Sequence, residues 1–295
     1  MIPRRTLINQ AHVRGTGLFS GTPCTARFSA APADTGIVFI RADLPGSPQI
    51  RVGIPAIAEP PPGIPARNTT LRTPGGAEVL TVEHALSALS ALGITDALIH
   101  LDGPELPIGD GSSEPFAAAI WAAGLRYLGI DLPPLIIPRP ISVSGRDGAR
   151  ITATPRSRPG CSYTYDLDYG AAAPIPMQTA SFDTLPLPGK PAPDQCASSA
   201  RDVAPARTFC TQAEAEAMQK AGLFKHLTTR DMLVIGPRGP IDNAYRFDNE
   251  PARHKLLDLI GDLALVGRPI QADIHAHKSG HALNHEMARA LAGVA

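Results

Sequence analysis

Charge of either sign is not in excess in this chain. Its 27 lysines and arginines are offset by 27 aspartates and glutamates, the formal net charge is zero, and no basic block stands out. Binding through phosphate neutralisation needs such a block, so nucleic acid is not an expected partner. A run of roughly 20 apolar residues, the length that crosses a bilayer, is also missing. The opening Met1-Ile2-Pro3-Arg4-Arg5-Thr6 has none of the apolar core of a signal peptide. The expectation is a soluble cytoplasmic protein without a transmembrane segment. Cysteine is scarce, and Cys24, Cys161, Cys196 and Cys210 are scattered without metal-type spacing. Reduced thiols are expected, and they are not candidate metal ligands.

Proline and glycine are abundant, at 31 and 27 residues, which fits short strands and turns more than a helical bundle. The length of 295 residues allows one large or two ordinary domains. Extended segments are expected at 6–13, 24–30 and 36–42, followed by a surface loop at Pro60-Pro61-Pro62-Gly63-Ile64-Pro65. Thr81 is a candidate N-cap for a helix whose apolar positions Val82, Ala85, Leu86, Leu89 and Leu92 recur until Gly93. A strand at 97–101 and a helix at 116–123, closed by Gly124, complete the first half. The segment from Gly129 to Pro140, with Pro133-Pro134, marks a domain boundary.

In the second half, strands are expected at 136–143, 150–153, 163–167 and 177–182, and a long polar connection at 185–200. Thr211-Gln212-Ala213-Glu214 has the form of a capping box, opening a helix that Gly222 would end. A helix from about 250 to 266 is expected to turn Leu256, Leu259, Leu263 and Val266 to the core, away from His254 and Asp258. A last helix runs from about 279 to 291. Strands then helices, twice, give an α+β expectation of two similar layers.

The chemistry concentrates on that long helix. His254 and Asp258, four positions apart, share one helical face at the reach two metal ligands need. With His84 from Thr81-Val82-Glu83-His84 they form a two-histidine, one-carboxylate set that leaves a coordination position open for water. Glu83, adjacent but not a ligand, can then take the water's proton. Zinc suits this set, and iron(II) is chemically admissible.

Five motifs occur in one order: Thr81-Val82-Glu83-His84, Pro107-Ile108-Gly109-Asp110-Gly111-Ser112, Ala206-Arg207-Thr208-Phe209, Arg253-His254-Lys255-Leu256-Leu257-Asp258 with Gly261-Asp262, and Lys278-Ser279-Gly280-His281-Ala282-Leu283-Asn284. In this the chain resembles the UDP-3-O-acyl-N-acetylglucosamine deacetylases, the zinc amidases of lipid A synthesis, over practically its whole length. The resemblance implies two similar domains, 1–130 and 131–295, each a sheet with a pair of helices, with the helix layers packed between the two sheets. It implies hydrolysis of the 2-acetamido group of a UDP-linked, 3-O-acylated amino sugar, with transient approach to the inner face of a membrane.

The resemblance makes His84, His254 and Asp258 the zinc ligands and Glu83 the base. His281 becomes the imidazolium that stabilises the oxyanion or protonates the leaving amine. A helix N-terminus would depress its pKa, so a carboxylate must hold its proton, a part that falls to Asp262. Lys255 adds positive potential, Thr208 donates to the oxyanion, Phe209 flanks the substrate, and Lys278 and Asp166 meet the nucleotide.

Five residues depart from the family pattern. Phe19, in Gly17-Leu18-Phe19-Ser20-Gly21, stands where histidine is usual; Gly109 replaces methionine and Cys210 glycine; and His226-Leu227 replaces a Gly-Gly pair in the segment that forms the acyl passage. Metal chemistry is expected to be kept and the acyl requirement to differ. The alternatives are a zinc amidase on another amino sugar and a silent homologue that binds nucleotide sugars.

Overall fold

The computed structural model describes residues 1–184 and 201–294. The connection expected at 185–200 lies outside the described residues.

The fold is mixed α+β and carries one strand order twice. Edge to edge, the first sheet runs Ala11–Thr16, Pro23–Ala30, Ala97–Leu101, Ile37–Arg41, Gln49–Arg51. The second runs Ile141–Ser144, Arg150–Pro155, Ile270–His277, Cys161–Leu167, Gln178–Thr184, and Leu135–Ile136 also pairs with its central strand. In each, the strand that comes last in sequence lies in the middle, antiparallel to the second strand and parallel to the third. Alternation explains the faces: in Cys161–Leu167 every second residue from Cys161 is buried, as period two requires of a half-covered sheet.

Five helices are described: α1 Glu83–Ala91, α2 Glu114–Ala123, α3 Gln212–Lys220, α4 Glu250–Leu263 and α5 His281–Ala292. None is long and apolar enough to cross a membrane. Helix α2 packs on the Ala11–Thr16 strand, α4 on Cys161–Leu167 and Gln178–Thr184, and α5 on Ile141–Ser144 and Arg150–Pro155. Helices α1 and α4 pack on each other, and Gly261 makes the approach close. A Cβ there would overlap the carbonyl oxygen of Glu83 and lie 3.0 Å from its Cα.

Local signals behave as chemistry dictates, with two corrections. Thr211 and Glu214 do form the reciprocal capping box at α3. Thr81, however, does not cap α1. It takes φ +59°, Val82 occupies the N-cap without a side-chain bond, and the Thr81 hydroxyl donates instead to buried Glu105 at 2.8 Å. Helix α4 has no free chemical side: Leu257 and Ile260 are buried along with Leu256, Leu259 and Leu263, because α1 covers the face the sheet leaves open. The strand Leu125–Leu132 pairs antiparallel with Ile2–Leu7 and ends just before Pro133-Pro134.

Candidate metal centre and active site

The first turn of α1 and the middle turns of α4 bring His84, His254 and Asp258 together. One ligand atom from each lies within 4.8 Å of the others, and no second group of this kind occurs among the described residues. Asp258 Oδ1 stands 3.4 Å from His254 Nε2 and 3.7 Å from His84 Nε2. That oxygen is buried and has no hydrogen-bond donor, an expensive condition unless a cation completes it. His254 Nδ1 donates to the Ala206 carbonyl at 3.1 Å, which turns the Nε2 lone pair toward the centre. His84 Nδ1 is buried without a partner.

Electrostatics prepare the same atoms. Burial, reinforced by His254, pushes the His84 imidazole down to about 3, and burial lowers His254, so both are neutral, as metal ligands must be. Burial opposes ionisation of Asp258, but the charges of Lys255 and His281 outweigh it and hold the carboxyl well below its usual range. Lys255 Nζ donates to Asp258 Oδ2 at 2.6 Å. Two neutral imidazoles and one ionised oxygen fit a tetrahedral cation with an open fourth position.

Glu83 sits beside this group. Its Oε2 accepts from the Thr69 backbone N–H at 3.0 Å, and its Oε1 lies 4.0 Å from His281 Nε2. Burial raises the carboxyl to about 8 against the pull of the His281 imidazolium, and a neighbouring dication would pull in the same direction as that imidazolium. His281 opens α5, and its Nδ1 donates to Asp262 Oδ2 at 2.9 Å. Burial works against the imidazolium, but Asp262 outweighs it and lifts the group to about 9, as the helix-terminus argument required.

Three residues of this network escaped the sequence reading. The Thr69 hydroxyl donates to Asp262 Oδ1 at 2.5 Å and meets His285 Nε2 at 2.8 Å, while Asn284 Nδ2 donates to Asp262 Oδ2 at 2.8 Å. Asn284 and His285 follow His281 by three and four positions, so helical spacing from His281 would have found them. Nothing in Asn68-Thr69-Thr70 marks Thr69.

A cleft of about 220 Å³ opens over the centre. Glu83, Lys255, His281, Thr208 and Phe209 line it with the three presumptive ligands. The Phe209 ring stands 6.2 Å from that of His254 and 5.9 Å from that of Tyr169. Lys278 and Asp166 are not brought to this cleft. Lys278 pairs with Asp168 at 2.8 Å. Asp166 alternates with buried Tyr165 and so faces the other side of its sheet, where it meets His275 and Thr179, each at 2.7 Å.

The family model LpxC, UDP-3-O-acyl N-acetylglycosamine deacetylase, matches residues 4–293. The chain belongs to this deacetylase family. A UDP-3-O-acyl-N-acetylglucosamine deacetylase of Anaeromyxobacter sp. is 37% identical over 295 residues, covering 97% of this chain and 87% of that protein. A deacetylase of the same name from Nostoc sp. is 36% identical over 293 residues, 98% of each chain. One from Myxococcus xanthus is 37% identical over 287 residues, 97% of this chain and 85% of that protein.

The segments around Phe19 and His226 meet in space. Phe19 stacks at a tilt on Phe224, ring centroids 5.5 Å apart, and both line the cleft. His226 Nε2 donates to the Gly17 carbonyl at 3.1 Å. Leu18, Phe19 and Ile108 form a small core of their own, with Phe224 and Leu227 against it. Phe19 and Phe224 therefore form part of one apolar cluster that borders the cleft.

Proposed function

We propose that this chain removes the acetyl group from the 2-acetamido nitrogen of a UDP-linked, 3-O-acylated glucosamine, releasing acetate, as the deacetylation of lipid A synthesis. The observation that carries this reading is the donor-free Asp258 Oδ1 between two neutral imidazoles, in a chain matched over residues 4–293 by the deacetylase family.

His84, His254 and Asp258 would hold zinc, with iron(II) as the chemically admissible substitute. Zinc held there supplies Lewis acidity toward an amide carbonyl and makes water ionisable near neutral pH. The other roles belong to the chain. Glu83 takes the proton of the attacking water at its carboxylate as the new carbon–oxygen bond forms. His281, fixed at Nδ1 by Asp262, presents a charged Nε2–H toward the developing oxyanion, and Lys255 adds positive potential from beside Asp258. The Thr208 hydroxyl donates to the same oxygen, and Phe209 flanks the sugar. When the carbon–nitrogen bond breaks, the leaving nitrogen receives a proton from His281 or from protonated Glu83.

For the nucleotide, Lys278 would exchange Asp168 for a phosphate, and Asp166, committed to His275, would act only through that neighbourhood. The repeated strand order supports two domains, 1–130 and 131–295, with helix layers between the sheets. A UDP-linked, acylated substrate puts the reaction in the cytoplasm, at the inner face of the membrane.

One observation favours a narrower substrate. Phe19 and Phe224 stack where they line a cleft of only about 220 Å³, an apolar plug beside which a short acyl chain, or none, fits best. The deciding experiment is acetate release by zinc-loaded protein from UDP-3-O-acyl-N-acetylglucosamine, beside Glu83→Ala and the substrate without its acyl chain. Turnover that depends on Glu83 supports the assignment, and dependence on the acyl chain fixes the substrate. No turnover with zinc fully bound would overturn it in favour of a silent nucleotide-sugar binder.

A further inference from the structure

Among the described residues, a cavity larger than the metal cleft lies elsewhere. About 490 Å³ in volume, it falls within the ~300–1,000 Å³ of small-molecule sites. It lies alongside α1 and past the end of α4, where Leu86 and Leu89 face Leu263 and Leu265, and Tyr163 closes one wall. None of the metal ligands lines it.

Its charge is one-sided. Among the described residues the lining holds Arg5, Arg51 and Arg268 and no aspartate or glutamate. Arg5 and Arg268 make no side-chain hydrogen bond or ion pair among the described residues, and Arg51 donates only to the neutral carbonyl of Asp34 at 3.0 Å. Two glycines seat these side chains. Gly93, at φ +68°, has Arg5 Nη1 2.8 Å from where its Cβ would stand, and Gly36, at φ +71°, has Arg51 Nε at 3.4 Å. Guanidinium groups held at an apolar cavity without carboxylate partners match an anionic head whose apolar tail fills the rest.

We propose that this cavity is a second ligand site, for a single-chain amphiphilic carboxylate of the fatty-acid type, separate from the reaction centre. The tail lies between Leu86, Leu89 and Leu265, and the head meets Arg5 and Arg268. Occupancy is felt at the metal centre, because α1 carries Glu83 and His84 one turn before Leu86, and α4 carries Asp258 just over a turn before Leu263. The two helices touch at Gly261 and Glu83, so a ligand wedged beyond that contact changes their separation at the ligands. Binding there alters turnover without competing with substrate.

The test is calorimetric titration of the zinc-loaded protein with decanoate below its micelle concentration, with decanol and acetate as partial probes. Saturable binding of one decanoate per chain is expected, with decanol and acetate each at least tenfold weaker. The double variant Arg5→Ala with Arg268→Ala should weaken decanoate by about tenfold or more while keeping turnover of the native reaction. Ile94→Trp, which fills the cavity, should abolish binding, and thermal melting verifies that each variant is folded. Zinc-loaded Glu83→Ala saturated with substrate should bind decanoate unchanged. Displacement by substrate would put the amphiphile in the metal cleft and overturn the proposal, as would decanoate binding indifferent to the arginine pair, or no saturable binding at all. Failure of the deacetylase reading would appear instead as absent turnover with decanoate binding intact.

Discussion

At the scale of single residues, the site turns on which groups hold a proton. His281 is raised to about 9 by Asp262, against its own burial. The imidazolium is therefore present through neutral pH and is lost as pH rises through about 9, and with it the part of the folding stability that the pair contributes. We expect kcat/KM to fall on the alkaline side near that value. Asp262→Asn should draw this limb to lower pH, and a pH–rate profile in which the limb does not move would show that His281 is held by something else. Phe19→Ala removes half of the plug, so kcat/KM across a series of acyl lengths should move toward longer chains; an unchanged optimum would mean that the plug is not the limit. Thr69→Val leaves Asp262 Oδ1 and His285 Nε2 short of a partner, a loss of about 1–3 kcal/mol in denaturant unfolding, and Thr69→Ser should recover most of it. His84, His254 and Asp258 were legible because a helix converts sequence spacing into a shared face and because Glu83-His84 sits at a helix start. Thr69 was not, since a threonine in an irregular segment acquires its role only when α4 and α5 arrive from residues 262 to 285.

At the scale of elements, helix ends and periods were readable wherever local chemistry set them. Thr211 caps α3 through its own side chain, and Gly124 and Gly267 end their helices at positive φ. Thr81 misled because a distant carboxylate, Glu105, accepts its hydroxyl and wins over capping. The packing of α1 on α4 came only from the resemblance, with its helix layers between two sheets, and from no local pattern, although the residue that permits it, Gly261, stands inside a motif. Gly261→Ala inserts a methyl group against the Glu83 backbone. Overpacking of this kind costs about 1–3 kcal/mol, but function should suffer more than stability, because His84 rides on one helix and Asp258 on the other. Zinc affinity and turnover are expected to fall at least tenfold in a protein that still unfolds cooperatively. Native affinity in Gly261→Ala would mean that the helices separate without moving the ligands.

At the scale of the molecule, the two sheets repeat one strand order, yet the sequence shows no repeat of fixed period. Strand order follows from chain connections and not from side-chain identity, so topology recurs where residues do not. The proposed metal then acts as a fastener between the halves, since His84 comes from the α1 side and His254 and Asp258 from α4. Without a cation, Asp258 Oδ1 keeps no donor, and the cost falls on the contact between α1 and α4. A ligand that binds only the folded chain stabilises it by about 4 kcal/mol when its free concentration is a thousand times its Kd. Chelation should therefore lower Tm by several degrees and speed hydrogen exchange first in α1 and α4, with the outer strands of both sheets less affected. Restoring zinc should reverse both effects, and adding it to Asp258→Ala should reverse neither. Equal melting and exchange with and without metal would mean that the apolar core alone joins the halves, and that the three ligands serve chemistry without serving the fold.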